Sequence, residues 1–371
     1  MGSPIRVLHS VVNMNRGGAE TFIMNVYRNI DRTKIQFDFL TCKPGVFDQE
    51  IERMGGKVQR IPYITDVGHY GYVKGLQHFF GENDYKVIHS HMDKMSGIVL
   101  REANKAGIPF RFAHIHSSGS EGNILARAYK WYSGKLLLKN ATHFLACSKK
   151  AAEWIHPIGM KNTTIIKNGI DSESFTFSEN TRKEVRKEFG IPHDSLVLGH
   201  VGRFSKVKNH QFLIDVFCQL SKKKENAVLF LVGDGPLRNQ IEQKVLDLNV
   251  GHKVVFAGLR SDIHRLLQAF DLFLLPSKHE GLPVSVIEAQ GAGLPCLISE
   301  RISDEVDLNL GLIHYASLSD RNKWVEEMLR LTAGKLKRVN PRKAFLNKGY
   351  DITSSAGFLE GCYLSCSRRV I

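Results

Sequence analysis

"DLFLLPSKHEGLPVSVIEAQGAGLPCLIS" (271–299) reads as a strand, a loop, a helix and a second strand. Leu272 to Leu275 form a short apolar run that Pro276 ends, and Pro283 suits the first turn of a helix. "PCLIS" (295–299) then returns as another apolar run. A strand–helix–strand unit of this kind belongs to a parallel sheet. In open α/β sheets, ligands bind beyond the carboxyl ends of the strands, which is where residues 276–283 would lie. Glu280 falls in that loop. Glu288 falls inside the helix, among Val284, Val286, Ile287 and Ala289. A carboxylate in such apolar company needs partners. A ribose diol would give Glu288 two donors, and sugar hydroxyls would do the same for Glu280.

The same rhythm extends in both directions. "LVLGHVG" (196–202), "AVLFLVG" (227–233) and "KVVFAG" (253–258) precede this unit as strand candidates. In the first half the candidates are "RVLHSVV" (6–12), "FDFLT" (37–41), "KVIHS" (86–90), "FRFAHIH" (110–116), "HFLAC" (143–147) and "TTIIK" (163–167). Helical patterns such as "AETFIMNVYRNI" (19–30) and "ILARAYKWYSGKLLLKN" (124–140) fill most of the gaps. The chain of 371 residues therefore reads as α/β, with two Rossmann-like domains joined near 169–180. The expected boundaries are 1–172, 173–345 and a helical tail, 346–371, outside the second sheet. Two such domains facing each other would enclose a cleft.

Composition narrows the function classes. No apolar run approaches the roughly 20 residues needed to span a bilayer. Residues 5–12 already read as a strand, so no signal peptide is expected. The six cysteines form no C-x-x-C pair, and reduced thiols in a cytoplasmic protein are expected. The formal net charge is +14. Residues 1–172 hold 23 Lys and Arg against 14 Asp and Glu, a net +9, so the excess is concentrated in the first half. An anionic partner follows. Neither zinc-finger spacing nor an aromatic-rich RNA-binding signature is present, so no nucleic acid is expected.

Other strand ends carry candidate ligands. "NMNRGGAET" (13–21) places Gly17 and Gly18 where a helix begins, and its free N–H groups could accept a phosphate or a sugar oxygen. The loop lacks G-x-G-x-x-G, which disfavours a nicotinamide dinucleotide. "GRFSKVKNH" (202–210) places Arg203 and Lys208 where two cations can clamp a diphosphate. "LVGDGP" (231–236), with Gly233, reads as a close-approach turn.

Together these motifs resemble the retaining GT-B glycosyltransferases of glycosyltransferase family 4. "GGAE", "GRFSKVKNH", "VGDGP" and "PSKHEGLPVSVIEAQ", with its E-x7-E spacing, occur in the family's order. "MNRGGAETFIMNVYRNID", "IQFDFLT", "EAQGAGLPCLIS" and "GYDI" are similar to the EpsF-like exopolysaccharide and capsule transferases. The resemblance implies a tail helix that crosses back to the first domain. It implies that Arg203 and Lys208 bind a donor diphosphate, Glu288 the ribose, and Glu280 the transferred sugar. Gly281 and Leu282 accompany Glu280 in the donor loop, and the loop after "VVFAGLR", with Gly258 and Arg260, would hold the base. "HIHSSG" resembles the family's active-site histidine loop, so His116 is the residue expected beside the donor sugar, with His91 a candidate on the acceptor side. The segment "SERISDEVDLNLG" (299–311) departs from the Gly-Gly and Glu pattern of many members, so no contact is carried over to it.

Two His-x-His pairs, "HSH" (89–91) and "HIH" (114–116), admit another chemistry. At strand period each pair projects from one face, and four imidazoles could hold zinc. Neither a Cys nor an Asp cluster joins them, and no metal or cofactor is expected.

The leading expectation is a hexosyltransferase with a nucleotide-diphosphate sugar donor, a UDP-sugar foremost, and a sugar or lipid-linked saccharide acceptor. A same-fold nucleotide-sugar epimerase or hydrolase stands beside it, separated by an acceptor-dependent assay. A non-catalytic sugar- or nucleotide-binding protein, which would bind without turnover, is the third reading. Finally, "ILARAYKWYSGKLLLKN" sets Arg127, Lys130, Lys135 and Lys139 beside Trp131, Tyr132 and leucines. Such a helix can lie on the anionic inner face of a membrane, or can pack its apolar side into the domain core.

Overall fold

The structure is a computed structural model, and it describes residues 3–117, 119, 123–155, 163–171, 173–280, 282–334 and 338–367. The chain divides into two units: residues 1–170 with 349–371, and residues 171–348.

Among its described residues the first unit holds seven parallel strands. They are β1 (Ile5–Ser10), β2 (Ile35–Thr41), β3 (Val58–Arg60), β4 (Val87–Ser90), β5 (Phe110–Ile115), β6 (His143–Ala146) and β7 (Thr163–Ile165). Their order is β3-β2-β1-β4-β5-β6-β7. Strands of a parallel sheet are covered on both faces, which explains why Ile35–Thr41, with Ile35, Phe37, Phe39 and Leu40, is buried throughout. Asp38 interrupts that run. Its carboxylate is satisfied by Arg6, by the Tyr85 hydroxyl at 2.9 Å and by the Lys57 N–H at 2.8 Å.

The helix Gly18–Asn29 buries Phe22, Ile23, Met24, Val26 and Tyr27 against this sheet. The chain returns to the same core at its end. The tail contains two helices, Arg342–Lys348 and Ile352–Ser367, interrupted at Gly349, whose φ of 72° is left-handed. Ile352, Ala356, Leu359 and Tyr363 pack with Val7, Phe37 and Phe112. Residues 169–170 meet 350–352 so closely that a Cβ on Gly169 would lie 2.9 Å from the Ile352 Cα.

The second unit holds β8 (Leu196–Val201), β9 (Ala227–Val232), β10 (Val254–Gly258), β11 (Leu272–Leu275), β12 (Cys296–Ser299) and β13 (Ile313–Ala316) among its described residues. All are parallel, in the order β10-β9-β8-β11-β12-β13. The helix Val284–Gly291 follows β11. At the opposite end of β11, Asp271 receives Arg182 at 2.6 Å, Arg186 at 2.8 Å and the Val197 N–H at 2.7 Å. Arg186 also donates to the carbonyls of His193, Ser195 and Ala269, so a buried guanidinium is fully satisfied there. This leaves the carboxyl ends of the strands to the candidate site.

Candidate functional site

Neighbouring strands bring their carboxyl-terminal loops together. β8 lies between β9 and β11, so the loop after Val201 touches the loops after both. The Phe204 N–H donates to the Asp234 carbonyl at 2.9 Å, and the Gly233 N–H to the Gly258 carbonyl at 2.9 Å. The Lys278 N–H donates to the Val207 carbonyl at 2.9 Å. Gly233 is required: its φ is 134°, and a Cβ there would lie 2.2 Å from the Gly202 carbonyl oxygen. Four loops, near 203, 234, 259 and 279, therefore form one backbone-linked rim.

Arg203 is exposed on that rim and has no hydrogen bond or ion pair among the described residues. Lys208 behaves differently. Its Nζ lies 2.7 Å from Glu280 Oε1, and both side chains are mostly buried. The 207–278 backbone bond explains this pair, because it carries residue 280 to residue 208. The two groups expected on neighbouring parts of a ligand thus contact each other.

Glu288 sits in the helix after β11, and its side chain has no hydrogen bond or ion pair among the described residues. Burial pushes its carboxyl up to about 7 from the usual 4.5. Its neighbour Gln290 faces inward, donating to the Val306 carbonyl at 2.7 Å and accepting from the Leu308 N–H at 3.1 Å. Leu282 is buried, and Gly281 lies outside the described residues. Gly258 ends β10 with a φ of 68°. Arg260 is committed to Asp262 at 2.8 Å and Glu188 at 3.0 Å, and it lies over the Phe189 ring. Its backbone, rather than its guanidinium, is left to meet a base.

The sequence reading missed three features of this rim. Arg238 opens the helix after the 233–235 turn, holds Glu242 at 2.7 Å, and reaches to 3.7 Å from where a Gly258 Cβ would lie. Its only sequence signal is a cation directly after a strand-end turn. His200 and His210 form a buried pair with ring centroids 4.6 Å apart, and His210 stacks on Phe204 at 4.1 Å. Burial pushes His200 down to about 4; burial, His200 and Lys208 push His210 down to about 2, so both rings are neutral. The Ser277 hydroxyl is buried beside the loop without a partner among the described residues.

In the first unit, Gly17 precedes the helix Gly18–Asn29 as its N-cap and itself has no side chain to cap it. The histidines lie on β1, β4 and β5, which are adjacent. His9 joins the four seen in the sequence. His9 Nδ1 lies 3.0 Å from His91 Nε2, and His91 Nδ1 lies 3.0 Å from His116 Nε2. His89 Nδ1 meets the Tyr363 hydroxyl at 2.6 Å. The rings of His89 and His91, and those of His114 and His116, stack at 4.2 Å. His116 is further held through its backbone N–H, which donates to the Asp93 carboxylate at 2.8 Å. Burial lowers the pKa of all five, to about 3 for His9 and for His116, so the array is neutral at pH 7. Two triads, His9–His89–His91 and His91–His114–His116, have metal-compatible spacing.

The chain is similar to known proteins along nearly its whole length. Residues 16–174 match the model of Glycosyltransferase Family 4, and residues 181–306 match that of the Glycosyl transferases group 1. A Bacillus subtilis (strain 168) protein named as glycosyltransferase EpsF is 37% identical over 370 residues, covering 96% of each chain. The UDP-Gal:alpha-D-GlcNAc-diphosphoundecaprenol alpha-1,3-galactosyltransferase of Escherichia coli is 27% identical over 303 residues, covering 76% of this chain and 75% of its own. Among solved structures, Anabaena Alr3699/HepE in complex with UDP-glucose superposes with a TM-score of 0.72 at 19% identity, covering 99% of this chain and 98% of that one. Two parallel Rossmann-like sheets, a carboxyl-edge rim bearing the E-x7-E pair, and a full-length relative at this identity lead to one statement: the chain belongs to the EpsF-like glycosyltransferases of family 4, with the GT-B fold.

Proposed function

We propose that the chain moves a sugar from a UDP-sugar to a saccharide carried on a lipid diphosphate, in exopolysaccharide or capsule assembly, with retention and without a metal. The observation that carries this reading is the rim of the second unit. It combines an exposed, unpartnered Arg203, a Lys208–Glu280 pair and a protonatable Glu288 on backbone-linked loops. The Escherichia coli relative, named for a UDP-sugar donor and a lipid-linked acceptor, supports the substrate classes.

In this reading Glu288 accepts the ribose hydroxyls, and Arg203 and Lys208 bind the diphosphate. The bond from the sugar C1 to the β-phosphate oxygen breaks, and the acceptor oxygen bonds C1 on the same face. The acceptor proton goes to the departing phosphate oxygen. Arg203 and Lys208 stabilise the charge that grows there, which removes the need for a metal cation. Glu280 then exchanges part of its contact with Lys208 for hydroxyls of the transferred sugar, and His116 contacts that sugar. In this reading the helix start at Gly17 and Gly18 takes a donor or acceptor oxygen on its backbone.

The helix Ile124–Asn140 supports a membrane-bound acceptor. It buries only Ser133, Leu137 and Asn140. Ile124, Leu125 and Trp131 are 84%, 79% and 63% exposed, beside Arg127, Lys135 and Lys139. Among the described residues, no helix is long and apolar enough to cross a membrane, so the proposed attachment is peripheral.

Thermal shift with UDP-, GDP-, ADP- and dTDP-glucose tests the donor class. Ligand at 100 times its dissociation constant stabilises by about 2.7 kcal/mol. UDP-glucose is expected to give the largest shift. A larger shift with another nucleotide would overturn the UDP assignment.

A further inference from the structure

His116 is held twice, once through its ring and once through its backbone. His91 Nδ1 lies 3.0 Å from His116 Nε2, a contact that either tautomer can make. The backbone N–H groups of His116 and Ser117 both donate to Oδ1 of Asp93, at 2.8 and 3.2 Å. The two residues follow the end of β5 at Ile115, where the strand ladder has stopped. Backbone N–H groups there must find partners outside the sheet, and one carboxylate oxygen supplies both.

Asp93 occupies an uncommon position for its residue type. It opens the 3-10 turn Asp93–Met95 after β4, with a φ of 48°. Left-handed backbone is disfavoured outside glycine and is best tolerated by asparagine and aspartate. The other three such non-glycine residues among the described ones are Asn209, Asn249 and Asn309. Burial also pushes the Asp93 carboxyl up, against the hydrogen bonds from His116 and Ser117, which lower it. A strained backbone and a desolvated carboxyl group thus coincide at one residue. Together they present a fixed ionic acceptor, and charge-assisted bonds are about twice as strong as neutral ones. The turn that carries it is itself clamped. Ser96 Oγ accepts the Met92 N–H at 3.2 Å and the Ser90 hydroxyl at 2.9 Å. The His91 N–H donates to the Ser10 carbonyl at 2.9 Å, and the Ser133 hydroxyl donates to the Lys94 carbonyl at 2.7 Å. Asp93 is therefore tied to β1, to β4 and to the helix Ile124–Asn140, and it passes that rigidity to residues 116 and 117.

We propose that Asp93 is a positioning residue: by holding the backbone of residues 116 and 117, it sets the point from which the His116 ring reaches the transferred sugar. This rests on the reading of His116 as a sugar-contacting residue. The anchor acts whichever ring nitrogen of His116 carries the proton, and Asp93 itself touches no substrate.

Three variants of the full chain test this, each checked for an intact melting transition. Asp93→Gly keeps the left-handed backbone and removes the acceptor. Asp93→Asn keeps the backbone and a side-chain oxygen. Hydrogen exchange of the 15N-labelled chain should show the His116 and Ser117 amides protected in the wild type, exposed in Asp93→Gly and largely protected in Asp93→Asn. Exchange equal in wild type and Asp93→Gly would overturn the anchor. With a UDP-sugar and a lipid-linked acceptor that the wild type turns over, Asp93→Gly should lower kcat at least tenfold with little change in donor KM. Asp93→Asn should recover most of that loss, and equal losses in the two variants would overturn the proposal. If Asp93 acts through His116, the double variant Asp93→Gly, His116→Ala should be no slower than His116→Ala alone. Losses that multiply would show an effect elsewhere in the fold and would overturn the positioning role. His116→Ala separates the two claims: full turnover in that variant would remove the sugar contact, whereas a slow His116→Ala beside a fully active Asp93→Gly would leave the contact and remove Asp93.

Discussion

Glu288→Gln should change the pH dependence of stability in a direction set by burial. In the folded chain the carboxyl titrates near 7, against 4.5 in a solvated chain. Between these values the unfolded state has lost a proton that the folded state keeps, so stability falls as pH rises. The full effect is present below pH 4.5 and is lost as pH passes 7. A gap of this size corresponds to about 3 kcal/mol, most of which falls between pH 5 and pH 8. Gln keeps the shape and cannot ionise. The stability of the variant relative to wild type should therefore rise by about 2–3 kcal/mol over that range, or about 5–10 °C in melting temperature. Differential scanning calorimetry of both proteins from pH 5 to pH 8 reads this directly. UDP should narrow the difference at pH 8, because the ribose diol gives the carboxylate the donors it lacks. Parallel melting curves across the range would refute the reasoning, since Glu288 would then be solvated or partnered.

Arg203→Ala removes an exposed, unpaired side chain, so stability should stay within about 0.5 kcal/mol while UDP affinity drops by about 1.5–3 kcal/mol. Isothermal titration calorimetry checks it, and unchanged affinity would remove Arg203 from the phosphate site. Lys208→Ala should destabilise more than the double variant Lys208→Ala, Glu280→Gln, because the single change leaves a mostly buried carboxylate without its cation. A double-mutant cycle with no coupling would separate the pair. Full-length protein should sediment with anionic liposomes at low salt and not at high salt, with each basic residue near the surface contributing about 1 kcal/mol. Lys130→Glu with Lys135→Glu should abolish that binding; equal recovery with neutral liposomes would leave the exposed Trp131 face unexplained.

The strands were legible because a parallel sheet covered on both faces demands apolar runs such as Leu272–Leu275. Two of the four edge strands were read, in 163–167 and 253–258, and two escaped. Val58–Arg60 is three residues, none of them fully buried, and Ile313–Ala316 carries an exposed Tyr315, so neither shows an apolar run. The E-x7-E pair was visible as spacing. Its link to Lys208 was not, because 72 residues separate the partners and only the β8–β11 neighbourhood joins them. Period-two spacing put His89 with His91 and His114 with His116. The order of β1, β4 and β5 was needed to add His9 and to turn two pairs into a line. The helix Ile124–Asn140 shows the limit of pattern reading: leucines, aromatics and lysines surround it, and only packing reveals that Leu137 is buried while Trp131 is not.

The central claim is transfer of sugar to an acceptor from a nucleotide bound on the rim of the second unit. Acceptor-dependent release of UDP from a UDP-sugar, measured in the presence of EDTA with lipid-linked diphosphate saccharides, tests it most directly. The account predicts release only with acceptor, a product that keeps the donor's anomeric configuration, and losses of at least tenfold in Arg203→Ala and Glu280→Gln. UDP release at the same rate without acceptor, or activity lost in EDTA and restored by a divalent metal, would contradict it.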